Sequence, residues 1–260
     1  MKTMKTWAVL GLAAAALAVA PVEAKEWKTV RIGTDASYAP FESMNSSGEI
    51  IGWEIDYAKI LCAKMKVTCT FQNQDWDGII PALMGDKFDV IMSSMNITKA
   101  RAEKVLFSQP YYSVPPAFIT TASNTSNDFS PAALKGKSIG TQSSTIHVNF
   151  LEKYYKDSEI KTYPTQDEAN LDLANGRLDY VTADALVLQE FVNTKGKGTT
   201  RFIGTYPRDP NIHGPGVGAA FRPADKDLAD MFNKAIDEAD ADGSYKKSEA
   251  GYFTMDIRGK

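Results

Sequence analysis

The chain has 260 residues, 43% of them hydrophobic and 23% charged, with 29 Lys and Arg against 32 Asp and Glu for a net charge of −3. That mild acidity, with no basic run, excludes nucleic acid and anionic membrane surfaces as main partners. The length suffices for one large domain or two smaller ones with a real core.

Residues 1–24 read as a secretory signal: Lys2 and Lys5, an apolar run over 7–20, and a small-residue cleavage site at Val22-Glu23-Ala24. The apolar run is shorter than the ~20 residues a spanning helix needs, and charged or polar residues interrupt every later one. The expected mature protein starts at Lys25 in a periplasmic compartment. Removal of Lys2, Lys5 and Glu23 takes away a net +1 and moves the charge from −3 to −4. Cys62 and Cys69 are the only cysteines. In an oxidising compartment they read as one disulfide closing a helix–strand turn. The competing reading is two free buried thiols, and metal binding lacks further ligands.

Strand-like and helix-like segments then alternate, which predicts an α/β fold with largely parallel sheets. Residues 30–34 read as a strand, 54–64 as a helix from Ile55, Ala58, Cys62 and Met65, 67–71 as a strand, and 79–84 as a helix stopped by Gly85. A strand over 88–92 leads to a helix opened by Thr98. An extended, proline-stiffened stretch at 111–116 and a polar loop at 122–131 interrupt the rhythm. It restarts with a strand at 138–141, a helix at 145–155, a capping box at Thr165 and Glu168 opening a helix that ends at Gly176, a strand at 178–182 and a helix at 185–193. After a second irregular stretch at 206–218 come a strand at 217–221 and a long helix over 223–241 closed by Gly243. Two irregular crossings imply two lobes, with the C-terminal segment returning to the first.

Ligands of open α/β sheets bind beyond the carboxyl ends of strands, and four such exits carry chemistry. The run SSMNITKAR at 93–101 gathers hydroxyls, a helix start and Arg101, a set of anion-binding devices. The run QSSTIH at 142–147 repeats it with Ser143, Ser144 and Thr145 at a helix mouth. Asp35 and Tyr38 follow the first strand, and Asp184 the 178–182 strand. Arg101 and Asp184 across a cleft complement a zwitterion, which favours an α-amino acid, and Tyr38 and Trp76 can flank its side chain. For each group there is a plainer alternative: a surface Arg, a Ser/Thr cap, a capping Asp, ordinary aromatic packing. His147 and His213 are far apart in sequence, and Asp75 and Asp77 look like helix caps. No nucleophile–base pair, Walker or zincin motif accompanies them, so no metal or cofactor is expected.

Six runs in order, RIGTDASYAPF (31–41), GWEID (52–56), DWDGIIP (75–81), SSMNITKAR (93–101), LKGKSIG (134–140) and GRLD (176–179), resemble periplasmic solute-binding proteins of ABC transporters for polar and basic amino acids. The likeness is greatest to the lysine/arginine/ornithine-, histidine- and octopine-type members. The resemblance implies a type II clamshell, with residues 25–114 and 216–260 in one lobe, 115–215 in the other, and hinges near 112–117 and 207–217. It implies that Arg101, Ser94 and Thr145 hold the α-carboxylate and Asp184 the α-ammonium. Ser93, Asn96, Gln142, Ser144 and His147 would line the walls, with Tyr38 and Trp76 beside the side chain and Asp35 and Glu54 near its distal end. Cys62 and Cys69 fall where lysine- and histidine-type members carry a disulfide. The chain departs from the usual V-Q-x-G-T run, with TQSST at 141–145 followed by Ile146 and His147, which reshapes the far end of the pocket. A monomeric receptor serving an inner-membrane permease follows. The alternatives are a receptor for glutamine or another neutral polar amino acid, or a dehydratase or lyase on the same fold.

Overall fold

The computed structural model describes residues 25–258; the expected signal segment lies outside them. In chain order the first lobe contains β1 (Thr29–Thr34), a small three-stranded sheet of β2 (Ser37–Tyr38), β3 (Glu42–Met44) and β4 (Ile50–Ile51), then α1 (Trp53–Met65), β5 (Thr68–Asn73), α2 (Ile79–Met84), β6 (Val90–Ile91), α3 (Lys99–Ala102) and β7 (Leu106–Phe107). The second lobe holds β8 (Pro116–Thr121), β9 (Ser138–Gln142), α4 (Ile146–Tyr154), β10 (Glu159–Tyr163), α5 (Gln166–Ala174), β11 (Tyr180–Asp184), α6 (Ala185–Asn193) and β12 (Thr200–Thr205). The short α7 (Pro210–His213) follows, and the chain then returns to the first lobe as β13 (Ala220–Phe221), α8 (Lys226–Ala241) and α9 (Ser244–Ala250).

Each lobe is built on a five-stranded sheet, ordered β5-β1-β6-β13-β7 in the first and β10-β9-β11-β8-β12 in the second. The first three strands of each run parallel, with Ile32 beside both Phe71 and Val90, and Val181 beside Gly140. The strands adjoining the crossings run antiparallel: β13 against β6 and β7, β8 against β11 and β12. The sheets are therefore mixed, because a chain that leaves one lobe and re-enters it arrives from the opposite end.

Helices cover the sheets for reasons visible in their residues. In α1, Ile55, Ala58, Leu61 and Cys62 fall on one face and are buried. Lys66 ends it in the left-handed region, and Cys62 is disulfide-bonded to Cys69 on β5. In α8 the buried Leu228, Phe232, Ala235, Ile236 and Ala239 keep the same spacing. Helix α5 opens with the expected capping box, Thr165 accepting from the Glu168 N–H and the Glu168 carboxylate accepting from the Thr165 N–H.

One glycine is essential to the site. Gly52 has φ of 134°, and a Cβ there would lie 2.2 Å from the Phe41 carbonyl oxygen. This close approach lets Trp53 and Glu54 donate their N–H groups to Pro40 and Phe41, which sets Glu42 against the first turn of α1.

The crossings are stapled by Arg208. Its Nη1 donates to Ser113 Oγ (2.6 Å) and the Val114 carbonyl (3.1 Å), and its Nη2 to the carbonyls of His213 (2.9 Å) and Gly214 (3.1 Å) and to Asn96 Oδ1 (3.2 Å). One guanidinium thus joins both inter-lobe segments to the cleft.

Candidate functional site

The cleft between the lobes holds a small cavity lined by residues of both lobes. Strand ends from both sheets converge there, as the alternation of strand and helix dictates.

The first wall follows β6. Ser93 and Ser94 are buried at the strand exit, and Ser94 sits in the left-handed region with φ of 48°, an arrangement that costs a non-glycine residue about 1–2 kcal/mol. Thr98 caps α3 by accepting from the Arg101 N–H (3.3 Å), which places Arg101 in the first turn facing the cavity. Arg101 is half-buried, donates to the carbonyls of Asn96 (2.9 Å) and Ser144 (3.4 Å), and lies 5.0 Å from the Trp76 ring centre. Loss of hydration lowers its pKa to about 10. Among the described residues no carboxylate stands within ion-pair distance of it. It is a cation held ready for an anion.

The facing wall comes from the second lobe. Asp184 ends β11 at the N-cap position of α6, yet its side chain makes no cap bond. It points into the cleft instead, and burial pushes its carboxyl up to about 7. The Asp184 N–H donates to the Tyr38 hydroxyl across the cleft (3.3 Å). His147 Nε2 lies 3.6 Å from Asp184 Oδ1, but burial holds that ring near a pKa of about 3, so it is neutral and the contact is not an ion pair. Asp184 is therefore a buried carboxyl without a bonded cation. Thr145, at the N-cap of α4, also spends its hydroxyl elsewhere, donating to the Gln142 carbonyl (2.8 Å).

Direct bonds between the walls hold the lobes closed. Gln142 Nε2 donates to Asp35 Oδ2 (2.6 Å), Ser143 Oγ to Asp77 Oδ2 (2.8 Å), and Trp76 Nε1 to the Ser144 carbonyl (3.3 Å). Ser144 adopts φ of 55°, which turns that carbonyl toward Trp76 and Arg101. Asp35 also accepts from Ser37 Oγ (2.8 Å), and burial raises its pKa.

Of the residues singled out from sequence, Asp35, Tyr38, Trp76, Ser93, Ser94, Asn96, Arg101, Gln142, Thr145, His147 and Asp184 line this cavity. Two do not. Ser144 contributes its carbonyl from an adjoining groove, and Glu54 lies beneath the floor, wholly buried and accepting from the Ser94 N–H (2.7 Å). Glu42 lines the cavity in its place; an acidic residue directly after Pro40-Phe41 was the available signal. The expected caps at Asp75 and Asp77 are not formed by either side chain, because Asp77 is taken by Ser143. The two histidines, distant in sequence, have ring centres 6.4 Å apart. Among the described residues no group of three His, Cys, Asp or Glu is placed to hold a metal ion.

A two-lobed α/β protein with an unpaired cation and an unpaired buried carboxyl facing one closed cavity is built as a receptor for a small zwitterion. Residues 30–255 match the bacterial extracellular solute-binding proteins, family 3, and the chain belongs to that family. It is 39% identical to an L-arginine-binding protein of Pseudomonas aeruginosa over 98% of this chain and 99% of that one. To a histidine-binding periplasmic protein of Salmonella typhimurium it is 36% identical, over 96% of each. Among solved structures, an ancestral arginine-binding protein bound to arginine superposes with a TM-score of 0.80 at 32% identity, covering 87% of this chain and 98% of that one.

Proposed function

We propose that this protein captures one α-amino acid with a cationic side chain outside the cytosol and, as a monomer, delivers it to the permease of an ABC transporter. The observation that carries the reading is the pair Arg101 and Asp184 on opposite walls of one cavity, neither of them, among the described residues, in a close ion pair with a charged protein side chain. Arg101 grips the α-carboxylate in two parallel hydrogen bonds, and Asp184 receives the α-ammonium. Tyr38 and Trp76 flank the alkyl chain, whose charged end meets the acidic side of the cavity at Asp35 and Glu42. The names of the relatives, arginine- and histidine-binding proteins, support a basic ligand. Residues 1–24 act as the export signal, cut after Ala24.

Because the ligand touches both lobes, it favours the closed state, with residues 112–117 and 207–217 as hinges. The reading is of a receptor and not a catalyst, since both charged groups facing the ligand are committed to holding it. A calorimetric competition series at neutral pH decides the ligand class. Arginine, lysine or ornithine should displace glutamine and glutamate, and citrulline, nearly isosteric with arginine but uncharged, should bind at least about tenfold more weakly than arginine. Equal binding of citrulline, or tightest binding of glutamine, defeats the basic-ligand reading in favour of a neutral polar one.

A further inference from the structure

Beneath the cavity floor the Gly52 turn brings two carboxyls together. Glu42 from β3 and Glu54 from α1 are 1% and 0% exposed, and among the described residues neither has a basic side chain within ion-pair distance. Their Oε2 atoms both lie against Ser94 Oγ, at 3.1 and 3.3 Å, so two carboxyls with no counter-cation face a single hydroxyl, which favours a proton on one of them. Counting donors identifies which. Tyr112 donates its hydroxyl to Ser94 Oγ (2.6 Å), and Ser94 has a single hydroxyl proton to share between Glu42 Oε2 (3.1 Å) and Glu54 Oε2 (3.3 Å). Glu54 receives, besides, the Ser94 N–H (2.7 Å) and the Tyr111 hydroxyl, while Glu42 receives nothing more. Donors favour the ionised form of the group they reach.

Resting on the reading of a cationic ligand, we propose that Glu42 stands in the cavity wall as a neutral carboxylic acid, and that Glu54, one layer deeper, carries the charge by which the cavity selects a cationic side chain. The Glu42 O–H points to Glu54, which leaves its other oxygen as an acceptor toward the ligand, polarised by the charge behind it. Burial pushes both carboxyls up, Glu42 the further because Glu54 repels its ionised form. The other titratable groups around the pair give the same result. Asp35 is acidic, and Tyr38, Tyr111 and Tyr112 are held neutral by burial well above the usual phenol range. A second full charge on Glu42 would have no counter-charge from the protein.

The test combines infrared spectroscopy with calorimetry on the purified protein. At pH 8 without ligand, the wild-type spectrum should contain a protonated carboxyl C=O band that Glu42→Gln removes. If Glu42→Gln instead removes only carboxylate intensity, the proposal is overturned. In binding, the amide introduced by Glu42→Gln can still donate to Glu54, so this variant should weaken arginine and citrulline together and hold their affinity ratio within about threefold. Glu54→Gln should reduce that ratio at least about tenfold. A collapse of the ratio in Glu42→Gln overturns the proposal even if Glu54→Gln does not fold. Equal binding of arginine and citrulline by wild type defeats the basic-ligand reading, and with it the selecting role of Glu54; the infrared band still decides where the proton resides.

Discussion

Replacing Arg101 by alanine removes the one basic group among the described residues that lines the cavity. In the closed cleft its guanidinium is desolvated, stacked near Trp76 and bonded to two carbonyls, with its remaining N–H groups free for a ligand. Two charge-assisted hydrogen bonds are lost, at about 1.5–3 kcal/mol each, and the buried carboxylate is left unpaired, for a total of about 3–5 kcal/mol. Affinity for arginine should therefore fall by about two to three and a half orders of magnitude. Arg101→Lys keeps the charge but loses the planar fork, and should fall between wild type and alanine. The fold should be little affected, because Arg101 touches only backbone carbonyls and one aromatic face. Isothermal titration calorimetry with arginine checks the size, and thermal denaturation checks the fold. An alanine variant within fivefold of wild type, or a lysine variant as weak as alanine, would refute the assignment of Arg101 as a bidentate carboxylate anchor.

Two further outcomes follow from Asp184 and the disulfide. Burial raises the Asp184 carboxyl to about 7 in the closed cleft, and a bound ammonium requires it ionised, so binding expels a proton; affinity should fall about tenfold per pH unit below 7 and level off above it. Asp184→Asn should bind weakly with a flat profile, and a wild-type affinity unchanged between pH 5.5 and 8 would contradict the pairing. Reducing Cys62–Cys69, a link across a sequence separation of 7, should lower stability to urea by about 2–3 kcal/mol, whereas an unmoved midpoint after verified reduction would show that the helix–strand turn needs no covalent tie.

The local elements and much of the site are legible in the order of the residues. The 3.6-residue spacing in α1 and α8, the Thr165/Glu168 box and the hydroxyls and charges at strand exits act over a few residues, so they can be read without coordinates. The two irregular crossings also implied two lobes. Strands β10 and β12 escaped, because edge strands carry too few buried residues to show a periodic pattern, and β8 was masked by the prolines that precede it. Which charges are paired is settled by packing. Asp184 sits at the N-cap position of α6 but its side chain makes no cap bond, while Asp77, which looked like a cap, accepts from Ser143 across the cleft. The positive φ at Ser94 and Ser144 sends a backbone N–H to Glu54 beneath the floor and turns a carbonyl toward Trp76 and Arg101, roles that no side-chain identity announces. Glu42 and Glu54 lie twelve positions apart and meet on Ser94 Oγ because Gly52 folds one segment onto the other. Ionisation depends on burial and on the count of donors, and both are properties of the packed chain, not of its order.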